Sequence, residues 1–205
     1  LNIYIIEEDS LKSQGPPSTC ITNRLNTGGD ISKYVKSYLS FSDENVFRKC
    51  ILSTVKEILL TDSISINLLI ISAHGIDETG TNLWTQNNSI NLREYQDYFK
   101  ILPAHLVIYM RSCKAAFPGA FWSFYKKSNI KPILIGPIVS IYENDANDLQ
   151  HIIIDTILIN SDNESCLKNE IDQFNLKVKN IYNRKYSIGM FLRSEEWYPE
   201  QGVLY

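Results

Sequence analysis

The chain has little of what most catalytic and binding sites are built from. Its 205 residues include three histidines, four cysteines and two methionines. The cysteines (Cys20, Cys50, Cys113 and Cys166) are widely scattered, and no C-x-x-C pair occurs, which argues against a disulfide framework or a zinc ribbon. No H-x-x-x-H spacing or Cys/His cluster occurs either, so neither a metal nor another cofactor is expected. No apolar run approaches the ~18 residues that span a bilayer, and no signal peptide is visible. Together with unpaired cysteines, this leads to the expectation of a cytoplasmic protein without a membrane partner. The chain begins at Leu1 rather than Met and reads as trimmed at its start. Charge of one sign is also lacking: 20 Lys and Arg against 23 Asp and Glu give a net charge of −3, with no bulk attraction to nucleic acid. Internal repeats, low-complexity tracts and dividing linkers are absent, and 44% hydrophobic content suits one core. A single domain over residues 1–205 is expected.

Two stretches stand out against this background. Leu68-Leu69-Ile70-Ile71-Ser72-Ala73-His74-Gly75 and His105-Leu106-Val107-Ile108-Tyr109-Met110-Arg111-Ser112-Cys113 are apolar runs that each stop on a reactive side chain. Such runs suit strands buried on both faces of a parallel sheet. Residues 91–102 between them read as a helix, which permits a right-handed crossover. Parallel strands end on one edge, so His74 and Cys113 are expected to meet at the carboxyl edge of the sheet, where open α/β sheets place their sites.

The remaining chain supports an α/β class with helices on both faces. Residues 2–7 read as a first strand closed by acids, and residues 10–30 as a long loop rich in Gly, Pro, Ser and Asn. Ser42 or Asp43 can cap a helix whose Phe47, Cys50, Ile51, Val55 and Ile58 share one face. A short hairpin is predicted around residues 86–88. A helix perturbed near Pro118 and Gly119 spans residues 114–127, and a strand follows at 132–136. A second edge loop covers residues 138–148. Helices at 148–160 and 165–186, a strand at 187–193 and an aromatic tail complete the chain.

Taken singly, a cysteine at a strand end is ordinarily a small hydrophobe and a lone histidine is ordinarily structural. Together at one edge they can work as a nucleophile and its base. A free thiol near pKa 8.5 is only a few per cent thiolate at pH 7, and His74 can take its proton and return it to a leaving amine. A helix opening at Lys114 would further favour thiolate through its dipole. Backbone N–H groups of Gly75 and Cys113 are candidate oxyanion donors. His105 opens the strand that Cys113 closes, which puts it on the far edge, and His151 has no acidic or cysteine partner at ligand spacing. Cys50 lies on the core face of its helix.

The paired signature, strand then Ser72-Ala73-His74-Gly75 and strand then Arg111-Ser112-Cys113, resembles the caspase-like cysteine peptidases, which include caspases, metacaspases and the bacterial CHAT-type proteases. The spacing of 39 residues with a hairpin and helix between them matches as well. The resemblance covers most of residues 1–160. It implies a mostly parallel central sheet with helices on both faces and a small hairpin after the His-Gly strand. It also implies a protein substrate, His74 as general base and acid, Cys113 as nucleophile and Gly75 as an oxyanion donor. Arg111, two residues before the nucleophile, falls where the family lines the pocket for the side chain preceding the scissile bond. A guanidinium there leans towards acidic substrates unless Glu7, Glu8 or Asp9 already neutralises it. Lys114 departs from the Gly-containing turn common in caspases. Bacterial relatives act in anti-phage or cell-death pathways under an activating partner protein or a nucleotide signal, which extends to this chain by analogy alone. Two other readings stay open: an inactive caspase-like scaffold, and a nucleotide- or small-ligand-binding module using Thr27-Gly28-Gly29-Asp30.

Overall fold

Alternation along four buried strands sorts the apolar side chains into two cores, one on each face of a sheet. Ile3, Ile5, Leu68, Ile70, Val107, Tyr109, Ile133 and Ile135 point into one core. Tyr4, Ile6, Leu69, Ile71, Ile108, Met110 and Leu134 point into the other. Each strand is therefore covered twice and must be apolar throughout, which is why no polar face shows in the sequence.

The computed structural model describes residues 1–14, 31–61, 65–75, 81–85, 88–160, 163–193 and 196–198. The elements run β1 (Asn2–Glu8), β2 (Val35–Phe41), α1 (Glu44–Leu60), β3 (Asn67–Ser72), β4 (His74–Gly75), β5 (Asn82–Trp84) and β6 (Ser89–Asn91). They continue through α2 (Gln96–Lys100), β7 (Val107–Arg111), α3 (Pro118–Ala120), β8 (Ile133–Pro137), α4 (Glu143–Asn160), α5 (Glu164–Tyr182), β9 (Ile188–Phe191) and β10 (Trp197–Tyr198). The main sheet has the order β10-β9-β8-β7-β3-β1-β2, with β1, β2, β3, β7 and β8 parallel, β9 antiparallel to β8 and β10 antiparallel to β9. A small second sheet joins β4, β5 and β6. The expected α/β class, the mostly parallel sheet and the hairpin after His74 are all present.

Helix α1 sets Phe47, Cys50, Ile51, Val55 and Ile58 against one face, started by the Asp43 side chain accepting from the Val46 N–H at 3.0 Å. Helices α4 and α5 cover the other face with Leu149, Ile153, Ile154, Ile157, Leu167, Ile171, Phe174 and Val178. Polar clamps fix the second layer. The Tyr109 hydroxyl donates to the Ala146 carbonyl at 2.9 Å, tying α4 to β7. Asn175 of α5 accepts from the N–H groups of Ser187 and Ile188 at 2.7 and 2.9 Å and donates to the Ile188 carbonyl at 3.1 Å. Every hydrogen-bonding group of that buried amide side chain that reaches β9 is used, as burial requires.

Three sequence expectations are corrected. Strand β2 was not anticipated. It is an edge strand whose V-K-S-Y-L-S-F run is only partly buried, so its polar residues mask the pattern. Helix α4 begins at Glu143, inside the segment read as an edge loop to residue 148. No helix opens at Lys114: residues 112–117 form turns, and helical structure starts at Pro118, followed by a π-helix at Phe121–Lys126. Most of the first long loop, with Cys20 and the 27–30 motif, lies outside the described residues.

Candidate active site

Strand β3 ends at Ser72, and the chain steps out of the main sheet at Ala73 to form β4 with His74 and Gly75. His74 pairs with Trp84 and Gly75 with Leu83 across the small sheet, so the histidine is held by a hairpin rather than by the strand that delivers it. Strand β7 runs parallel beside β3, placing Arg111 opposite Ser72 and Cys113 two residues beyond. His74 and Cys113 line one cavity of about 250 Å³, together with Ala73, Arg111, Ser112 and a wall of Leu11, Pro137, Ile141 and Tyr142. His74 is exposed and Cys113 half-buried, so both are within reach of solvent and of a ligand.

Gly75 is required here by space. A Cβ at this position would lie 2.2 Å from the Cys113 carbonyl oxygen and 2.6 Å from the Ser112 Oγ. Only a residue without a side chain lets the backbone after the histidine pass the cysteine so closely.

The turn that carries Cys113 is fastened from two sides. Lys114 N–H donates to the Val139 carbonyl at 3.3 Å, and Ala116 N–H to the Pro137 carbonyl at 2.8 Å. The Trp197 indole donates to the Ala116 carbonyl at 3.0 Å, so the aromatic tail braces the turn. Lys114 itself adopts φ 61°, the left-handed region that glycine enters most readily. A conformation that favours glycine is thus occupied by a lysine. Because no helix begins at Lys114, the expected helix-dipole contribution to the Cys113 thiolate is withdrawn.

Arg111 is buried, with its side chain 3% exposed, and is compensated within the site. Its guanidinium donates to Ser72 Oγ and to Asn147 Oδ1, each at 2.7 Å, and is ion-paired with Glu143. The partner is therefore an acid from the start of α4, and not Glu7, Glu8 or Asp9. Glu7 instead accepts from the Tyr38 hydroxyl, and Glu8 from the Ser10 N–H at 3.1 Å. Tyr38 is held well above the usual tyrosine range by burial and by the Glu7 carboxylate. Glu143 and Asn147 are the site residues that sequence reasoning missed. Their i, i+4 spacing at a helix start was the available signal, since it puts both on one face.

Tyr142 sits at the cavity rim, its N–H donating to the Tyr182 hydroxyl at 2.8 Å, while that hydroxyl bonds Asp145. Burial and Asp145 hold Tyr182 above the usual range, so it stays a neutral donor. The other described cysteines lie away from this cavity. Cys50 is buried against the Ser40 carbonyl at 3.6 Å, with its thiol pushed up by burial, and Cys166 is in the first turn of α5. His151 is on α4, and His105 precedes β7 on the opposite edge. Among the described residues no group of three or more His, Cys, Asp or Glu is placed to hold a metal ion. Nor is any described helix long and apolar enough to cross a membrane.

Among solved structures, the chain is similar to a secreted C11 cysteine protease from Bacteroides thetaiotaomicron, whose X-ray structure contains an irreversible peptide inhibitor. The match has a TM-score of 0.56 at 10% sequence identity, over 94% of this chain and 66% of that one. The fold is that of a caspase-like cysteine protease. No family model matches the chain, and no curated protein sequence does. The chain thus spans just under two thirds of the C11 protease structure. The caspase-like fold explains why β3 and β7 deliver their terminal residues to one edge.

Proposed function

We propose that the chain is a cysteine endopeptidase in which Cys113 is the nucleophile and His74 the general base and acid. One observation carries this: His74 of the small sheet and Cys113 of the turn after β7 line a single cavity, with the glycine after the histidine pressed against the cysteine. In the first step His74 takes the proton from Sγ while sulfur bonds to the scissile carbonyl carbon. The resulting oxyanion is met by backbone N–H groups, for which Gly75 and Cys113 are the candidates, at a benefit on the order of 10²–10³ in rate per donor. Collapse breaks the C–N bond as His74 returns the proton to the departing amine. Water, deprotonated by His74, then releases the acyl group from sulfur. Arg111 lines the same cavity with its charge balanced by Glu143, which supports a role in shaping that cavity and weakens the expected lean towards acidic side chains there.

An acyloxymethyl ketone probe tests the assignment. Cys113 is expected to be alkylated, as read by mass spectrometry of tryptic peptides, and His74→Ala to slow the labelling sharply. Modification confined to Cys50 or Cys166, or proteolysis retained by Cys113→Ala, would remove the proposal and leave a scaffold. Restraint of the enzyme by an activating partner protein or a nucleotide signal, in a bacterial anti-phage or cell-death response, belongs to the same proposal by analogy. Full turnover by the dilute, ligand-free chain would remove that part.

A further inference from the structure

A second cavity opens directly beyond the nucleophile. It measures about 480 Å³ and is lined by Lys114, Phe117, Ile138, Val139, Ser140 and Arg184. It shares the segment after β8 with the first cavity: Pro137, Ile141 and Tyr142 face one, and Ile138, Val139 and Ser140 the other. On the footing that Cys113 is the nucleophile of a peptidase, we propose that this cavity is a substrate subsite for an acidic side chain near the scissile bond, with Lys114 and Arg184 as the residues that recognise it.

Charge is the first reason. Two cations and no acid line the cavity, and among the described residues neither Lys114 nor Arg184 takes part in an ion pair. Arg111, the cation of the first cavity, already has Glu143, Asn147 and Ser72. An entering carboxylate would have to displace Glu143 to reach Arg111, whereas among the described residues no acid pairs with Lys114 or Arg184.

Placement is the second. Lys114 is the residue after Cys113, so a polypeptide bound across the nucleophile passes this cavity. Its φ of 61° is held by the bond from its N–H to Val139 and by Phe117 N–H donating to its carbonyl at 3.0 Å. Arg184 follows Asn183, the left-handed residue (φ 49°) that ends α5. Lys114 is thus carried on a turn bonded to β8 and the segment after it, and Arg184 on the turn between α5 and β9. A left-handed lysine is a costlier choice than glycine, which points to use of its side chain.

The floor is the third. Phe117, Ile138 and Val139 supply apolar walls and Ser140 a hydroxyl. A carboxylate on a short methylene stem can bury the stem and keep its head between the cations, and the apolar walls strengthen each charge contact relative to open water.

A positional-scanning peptide library that compares Asp with Asn and Glu with Gln at each site flanking the scissile bond tests the proposal. At one site the acid is expected to exceed its amide by about tenfold in kcat/KM, the range of a charge-assisted hydrogen bond. That ratio should fall towards one in Lys114→Gln and in Arg184→Gln, and should shrink with added salt. A flat profile, or a ratio untouched in both variants, overturns the subsite. If the wild type cleaves nothing, binding of the same library to Cys113→Ala decides. Acid-bearing peptides retained over their amides, with the difference lost on adding Lys114→Gln, support the subsite, and equal retention overturns it. Failure of the ketone to label Cys113 would sink the peptidase reading separately. Inorganic phosphate is expected to compete with the acid-bearing peptides, and phosphate that binds without competing would place the anion elsewhere.

Discussion

The cavities on either side of the segment after β8 are built from similar parts and differ in how their cations are answered. In the first, the buried Arg111 is ion-paired with Glu143 and bonded to Ser72 and Asn147, so its charge is spent inside the protein. In the second, Lys114 and Arg184 line the wall with no acid among the lining residues. A buried cation needs partners because desolvation costs several kcal/mol per ion, while a half-exposed one is kept solvated until a ligand arrives. The first arrangement serves the fold as much as the substrate. The second is free to serve a ligand. A cation near a nucleophile is therefore informative only after its partners have been counted.

The largest effect is expected at the junction of the two cavities. Cys113→Ala and His74→Ala should each lower cleavage of a protein substrate by at least about 10³-fold, as loss of a nucleophile or its base does elsewhere. Thermal melting should be nearly unchanged, because neither side chain is part of either core. A melting temperature lowered as much as by a core deletion would make the pair structural rather than chemical. Gly75→Ala should also abolish cleavage, since the new methyl would meet the Cys113 carbonyl. Activity at the wild-type level would mean that the backbone does not pass the cysteine as closely as described.

The comparison between the cavities is sharpest in stability. Arg111→Ala leaves Glu143, Asn147 and Ser72 without their donor and should cost about 3 kcal/mol in urea unfolding. Lys114→Gln and Arg184→Gln should stay within about 0.5 kcal/mol of the wild type. Equal costs at Arg111 and Arg184 would erase the distinction. Cys50→Ala, a small core deletion, should cost about 1 kcal/mol with cleavage retained.

Relief of the left-handed backbone is a smaller matter. Lys114→Gly should change stability by no more than about 1 kcal/mol in the favourable direction, because the strain removed is offset by the greater freedom of glycine in the unfolded chain. A small effect also belongs to Asp43, which caps α1 and lines neither cavity. The Val46 N–H, more than any other group, holds its carboxyl below the usual aspartate range. A depressed folded value means that the capping benefit is present above the unfolded pKa and is lost as pH falls through the lower folded one. Asp43→Ala should lower the melting temperature slightly at pH 7 and make no difference at strongly acid pH. A difference that persists in acid would show that the cap does not act through its charge.

Most of the sheet was legible in the chain because burial on both faces leaves a plain mark. Leu68 to Ile71 and Val107 to Met110 read as strands for the same reason that they form the centre of the sheet. The hairpin at β5 and β6 was legible from its turn residues. Strand β2 was not, since an edge strand keeps Lys36 and two serines beside its apolar residues. At the site, His74, Gly75 and Cys113 could be picked out because each follows an apolar run. Glu143 and Asn147 carried only a shared helix face as a signal, because their partner Arg111 is more than thirty residues away in sequence.

By itself, then, the chain determines which segments must be buried and which side chains stand at their ends, because periodicity and chain length are local properties. Parallel pairing follows nearly as directly, since two such strands joined by a helix have few other ways to pack. Only the tertiary structure decided that His74 leaves the main sheet to be held by a hairpin, and that Lys114 turns left-handed instead of opening a helix. It also decided which acid answers Arg111. Those outcomes depend on charges and backbone groups brought together from β3, β7, the segment after β8 and α4, and no local pattern records which of several possible partners will arrive within hydrogen-bonding distance.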